Sequence, residues 1–217
     1  VLASFAAYWA TTVLVAWLPS YLTTVVGYDT RSVGSLVVLP WAVMGIGMVV
    51  QALLTQRLLR NGVSSRWARG VLGGACVIVA GVALLVGSLA GNGTPKLILL
   101  AIGFGLGGVI IVVGQTTSAE ISPSNRRGGV LGTYAAIYSI AGIVSPVLTG
   151  ILVGSYAVPA VGYTVAFVIT ALLLIVGGVL STIFVRPERH RLRLAARAAQ
   201  DVKVPESASP DELPVRT

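Results

Sequence analysis

The sequence predicts an all-α integral membrane protein with six transmembrane helices, and three observations carry that reading. Mean hydropathy is +0.90 and only 10% of the residues are charged, against roughly 25% in an ordinary soluble domain. So few charges could not cover a soluble surface. The acids are unevenly placed: before residue 185 only Asp29 and Glu120 occur, and the others lie at or beyond Glu188. Finally, six apolar segments run approximately over 1–26, 33–56, 68–90, 97–117, 129–153 and 160–184. Each is long enough to cross a hydrocarbon core of about 30 Å as a helix. They are too long and too continuously apolar to be the alternating strands of a membrane β-barrel.

Segment one carries Tyr8, Trp9, Thr11 and Thr12 at membrane depth, then the run Pro19-Ser20-Tyr21. It lacks a basic leader and further apolar segments follow it, so it does not read as a signal peptide. The chain opens without Met at the edge of this segment, as though something upstream had been removed. Gln51 interrupts the last turns of segment two. Segment three holds the single cysteine, Cys76, within GGACVIVAG. A lone thiol there reads as a small packing residue rather than a metal ligand.

Segment four contains GFGLGGVIIVVGQ and ends in Gln115, Thr116 and Thr117. Gly103 and Gly107 form a G-x-x-x-G step, which permits close backbone approach between membrane helices. Without a following lysine and a strand–turn–helix setting, the run is not a phosphate loop. In segment five Tyr134 and Tyr138 share a helical face with Gly142. Gly142, Pro146 and Gly150, spaced by four, would thin and soften one face, as suits a helix that bends or slides; a static kink fits the pattern equally well. Segment six is apolar almost throughout.

The links between segments set the topology. Loops two and four hold Arg57, Arg60, Arg66, Arg69, Arg126 and Arg127, whereas loops one and three hold only Arg31 and Lys96. The remaining basic residues lie in the tail. The positive-inside rule therefore puts both ends of the chain in the cytoplasm. The net charge of +8 reflects this topology and calls for lipid, not nucleic acid, as the partner. Residues 1–185 form the membrane domain and 186–217 a basic, then disordered, cytoplasmic tail. Arg189, Arg193 and Arg197 share a face, which fits either a helix on anionic headgroups or a solvated tail. Arginine-rich usage with abundant Gly, Ala and Val suggests a bacterial source, hence the inner membrane.

A bundle that merely anchors can be apolar throughout, but Tyr8, Thr12, Gln115, Tyr134 and Tyr138 put hydroxyls and an amide at depth. They are candidates for a polar cavity that hydrogen-bonds a solute; helix-to-helix bonding is the plainer alternative. No Asp, Glu, Lys, Arg or His lies deep in any segment, so no proton relay is visible. Paired carboxylates and metal-spaced histidines are also missing, so no enzyme, metal or cofactor is expected.

WLPSYL at 17–22, SLVVLPW at 35–41, and RRGGVLG at 126–132 followed by SPVLTG at 145–150 add a resemblance. With the six segments, the long basic second loop and the Pro/Gly-rich fifth segment, they resemble the C-terminal half of a major facilitator superfamily transporter, in its anion:cation symporter branch. That resemblance implies one half of a twelve-helix bundle, a missing N-terminal six-helix half as partner, and transport of a small organic anion with a proton by alternating access. It also implies gating roles at the cytoplasmic loops. Glu120, Pro123 and Arg127 match E-x-x-P-x-x-x-R-G, with Arg126 beside them. The G-x-x-x-D-R pattern falls on Ala52, Gln56 and Arg57, where Gln56 supplies no carboxylate, so a charge latch there should be weaker. A second reading is a six-helix scaffold or accessory subunit that transports nothing, its polar groups satisfied within the chain.

Overall fold

The computed structural model describes residues 1–64 and 66–184, and the basic and disordered stretches expected over 186–217 lie outside the described residues. Eight α-helices occur among those described: α1 (Leu2–Tyr21), α2 (Thr30–Leu36), α3 (Val38–Arg60), α4 (Leu72–Leu89), α5 (Thr94–Gly107), α6 (Val109–Ile121), α7 (Arg127–Ser155) and α8 (Pro159–Phe184). Short π-helical turns, Leu22–Val26 and Arg66–Val71, extend α1 and precede α4. Together these make six membrane-length spans: Leu2–Val26, Thr30–Arg60, Arg66–Leu89, Thr94–Glu120, Arg127–Ser155 and Pro159–Ile183. The protein is a multi-pass, all-helical membrane protein.

Local chemistry explains where the helices start and stop. The Asp29 carboxylate accepts from the Ser32 N–H at 3.1 Å and the Ser32 hydroxyl at 2.6 Å, capping the first turn of α2. At the other end of span 2, Gly62 adopts φ +76°. The Val63 N–H bonds the Leu58 carbonyl and the Gly62 N–H bonds that of Leu59, the paired pattern of a Schellman stop. Span 4 is two helices joined at Gly108. There the Gly108 N–H reaches the Gly105 carbonyl at 3.3 Å and the Ile111 N–H reaches that of Gly108 at 3.2 Å, a tightened turn that sequence alone did not mark.

Packing is led by small residues. α4 lies along α8 and α5, while α1 lies along α7 and α8. Gly74 and Gly178 face each other across the α4–α8 seam: a β-carbon on either would sit 2.8 Å from the other's carbonyl oxygen. The G-x-x-x-G step serves two neighbours rather than one. Gly103 abuts the Leu84 backbone on α4, whereas Gly107 abuts the Leu174 side chain on α8. At the core, Phe104, Phe167, Tyr21 and Tyr163 stack edge-on, with centroids 5.0–6.2 Å apart.

Burial divides the spans. The most apolar stretches of spans 1, 3 and 4 are half buried and that of span 6 is 44% buried, but spans 2 and 5 reach only 11% and 17%. Those two present broad apolar faces, including Trp41, Ile46 and Leu53 on α3 and Ile140, Ile143 and Val147 on α7.

Candidate functional site

Three helices converge on the polar residues of segments one, four and five. Tyr8 on α1 meets Tyr138 on α7 edge-to-face at 5.2 Å, and Tyr138 meets Tyr134 one turn earlier at 5.4 Å. From α6 the Gln115 amide donates to the Tyr138 hydroxyl at 3.3 Å. Tyr8, Gln115 and Tyr138 are each half-buried. Tyr134 differs. It is 5% exposed and its hydroxyl is shared with the buried Ser4 hydroxyl on α1. The space for it comes from Gly114, whose bare Cα lies directly against the phenol.

Thr12 lies one turn along α1 from Tyr8. It donates back to the Tyr8 and Trp9 carbonyls at 3.0 Å each and shares a hydrogen bond with the Ser145 hydroxyl of α7. The glycines of α7 belong to this same seam. Gly142 lies under the Tyr8 ring and Gly150 under Trp17, while the Trp17 indole donates to the Pro146 carbonyl at 3.0 Å. Pro146 sits inside α7, which continues to Ser155; lacking an N–H, it leaves the Gly142 carbonyl without its helical donor.

The loop residues fall into separate places. Gln56 at the end of α3 and Glu120 at the end of α6 line one cleft of about 260 Å³, together with Gln51, Thr55 and Thr116. Arg57, Arg126 and Arg127 are exposed. A second cleft, of about 310 Å³, is lined mostly by apolar residues, with Ser4, Thr117, Ser118, Tyr134 and Ser181 among them, and the buried Thr117 hydroxyl has no partner. Ser4, Ser145 and Ser181 escaped the sequence reading because a serine in an apolar run carries no signal of its own. Among the described residues no cluster of His, Cys, Asp and Glu could hold a metal.

The sequence profile of the Major Facilitator Superfamily matches residues 2–210. The chain belongs to that superfamily. It is similar to the "Probable sulfoacetate transporter" of Cupriavidus necator, with 28% identity over 82% of this chain and 40% of that protein. It is also similar to "Probable anion transporter 3, chloroplastic" of rice, Oryza sativa subsp. japonica, with 26% identity over 62% of this chain and 27% of that protein. An uncharacterized transporter of Caenorhabditis elegans is 27% identical over 85% of this chain and 37% of its own length. The chain thus spans two-fifths or less of the curated relatives described here. Superfamily membership makes this a transporter-family membrane protein, not an enzyme.

Proposed function

We propose that the chain is the C-terminal six-helix half of a secondary transporter that carries a small organic anion with a proton by alternating access. The observation that carries this reading is the Tyr8–Gln115–Tyr138 group, half-buried and pooled from three helices. Hydroxyl and amide donors bind carboxylate or sulfonate oxygens by charge-assisted hydrogen bonds, and relatives named as anion or sulfoacetate transporters favour that class of solute. Spans 2 and 5, the least buried, would meet the N-terminal half, and the two halves would rock about the site. No Asp, Glu, Lys, Arg or His lies deep in the described spans, so the proton-binding group and the cation that balances the solute would come from that other half. By the positive-inside rule both ends of this segment would be cytoplasmic, in a bacterial inner membrane.

A scaffold with no transport cycle would satisfy its polar groups internally, as Ser4–Tyr134 and Thr12–Ser145 do. Uptake decides between the readings. The full-length protein in proteoliposomes should accumulate small sulfonates or carboxylates when an inward proton gradient is imposed. Tyr138→Phe should raise KM about tenfold or more, since a hydrogen bond to a charged group is worth about 1.5–3 kcal/mol. Accumulation indifferent to the gradient removes the proton; no accumulation of any such anion leaves the scaffold.

A further inference from the structure

The turn between spans 2 and 3 carries a guanidinium donor that the fold leaves unpaired. Arg66 opens the π-helical turn Arg66–Val71. Its guanidinium Nε is closed off from solvent and has no hydrogen-bond partner. Leaving a charged group's donor unpaired costs free energy, and Arg66 as a residue is only half-buried, so an oxyanion from outside the chain is a fitting partner. Nearby elements supply the rest of a site. The Thr55 hydroxyl donates to the Ala68 carbonyl at 3.1 Å, fastening this turn beside the last turns of α3. Arg57 and Arg60 project from those turns, three residues apart and therefore neighbours on the helix surface, and both are exposed. Trp67, next to Arg66, is 60% exposed at the end of a membrane-length span, where indoles rest at headgroup depth. Among the described residues at this end of the bundle Glu120 is the lone acid, so three arginines leave the rim positive.

We infer that this turn binds the phosphate of an anionic phospholipid, phosphatidylglycerol being the simplest case. Arg66 makes the anchoring contact, since a planar guanidinium pairs with two phosphate oxygens at once. Arg57 and Arg60 supply the field, and Trp67 lies along the lipid at the boundary of headgroup and chain. Phosphatidylcholine has the same phosphate but carries a quaternary ammonium that this cluster repels, so the site discriminates between the two. Nothing in this inference depends on the solute or on whether the protein transports.

The test is lipid retention by the full-length protein, purified in detergent and offered equal amounts of phosphatidylglycerol and phosphatidylcholine with matched chains, read by native mass spectrometry. Phosphatidylglycerol should be retained over phosphatidylcholine by about fivefold or more, fivefold being the worth of a single arginine near anionic headgroups, about 1 kcal/mol. Arg66→Gln should bring the ratio close to unity and Arg66→Lys should restore part of it, while Arg31→Gln at the opposite end should leave it unchanged. If Arg66→Gln does not fold, the wild-type protein still decides. Raising ammonium acetate from ~0.1 to ~0.5 M should lower the ratio by screening. Equal retention of the two lipids, a ratio that ignores both salt and Arg66, or capture of inorganic phosphate with neither lipid would each overturn the inference.

Discussion

The phenol of Tyr134 on α7 rests directly on the backbone of Gly114 on α6, at a point where no side chain could be accommodated. From there its hydroxyl reaches Ser4 on α1. One glycine thus lets three spans share a single buried polar contact, immediately beside the Gln115–Tyr138 pair.

Gly114→Ala should therefore be felt at the site without touching its exposed groups. The added methyl must push the phenol away, breaking the Ser4 contact and tilting Tyr138, which packs against Tyr134 at 5.4 Å. Overpacking of this kind costs about 1–3 kcal/mol. The expected outcome is a lower thermal midpoint together with reduced uptake, and Gly114→Ala combined with Tyr134→Leu should recover stability. A single Gly114→Ala protein with an unchanged midpoint would show that the ring moves freely and that the contact is incidental.

The α4–α8 seam gives a sharper contrast among glycines. On Gly178 a methyl would meet the Ile78 side chain at 2.7 Å and the Gly74 carbonyl at 2.8 Å, and backbone cannot rotate away as a side chain can. On Gly45 of α3 it would meet nothing within 4 Å. Gly178→Ala should lower stability by about 1–3 kcal/mol or more, whereas Gly45→Ala should be neutral or slightly stabilising through helix propensity. Unfolding in detergent, followed by the accessibility of Cys76, measures both. Equal midpoints would mean that α4 and α8 separate at little cost.

The cap on α2 makes a pH prediction. The Ser32 hydroxyl, and then the Ser32 N–H, hold the Asp29 carboxyl below its usual value. The folded protein therefore binds this proton less tightly than the unfolded chain. The stabilisation is complete above the ordinary aspartate value of about 3.9 and fades as pH falls through the lower folded value. Amide protection across Thr30–Val33 should hold at neutral pH and weaken only in acid. Asp29→Asn should keep it, because Asn caps as well as Asp, and Asp29→Ala should lose it at every pH. Protection already falling near neutrality would remove Asp29 as the cause.

The spans were legible in the sequence because membrane crossing is a one-dimensional property: twenty apolar residues suffice, whatever they touch. Helix rotation is not. Tyr134 and Tyr138 were placed on one face by their spacing, yet only the structure shows that Tyr134 turns inward to Ser4 while Tyr138 is half-buried and pairs with Gln115. Likewise Gly103 and Gly107 looked like one seam and serve two, α4 and α8, because four residues carry a helix about 40° past a full turn and aim the two glycines at different neighbours. The contacts of Gly74, Gly114 and Gly178 could not be read from the sequence for a related reason. A glycine's role depends on what comes against it, and that lies on another helix.

Spans 1 and 5 are joined by two polar contacts of different kinds, which gives the last prediction. Thr12 and Ser145 share a hydroxyl hydrogen bond, while Trp17 bonds the Pro146 carbonyl over the bare face of Gly150. Such bonds between membrane helices are worth about 0.6 kcal/mol on average, so a Thr12→Ala/Ser145→Ala double-mutant cycle should return a coupling of that size. Trp17→Phe keeps the ring against Gly150 and loses only the bond. Because Trp17 sits about two and a half turns from Tyr8, that change should alter stability and leave the KM for solute as it was. Thr12→Ala removes a hydroxyl next to the tyrosine group, and here KM should rise if Thr12 also meets the solute. Unchanged KM in both variants would make the whole α1–α7 seam structural and confine solute binding to Tyr8, Gln115 and Tyr138. A raised KM in Trp17→Phe would instead show that the packing of span 5 against span 1 sets the geometry of the site.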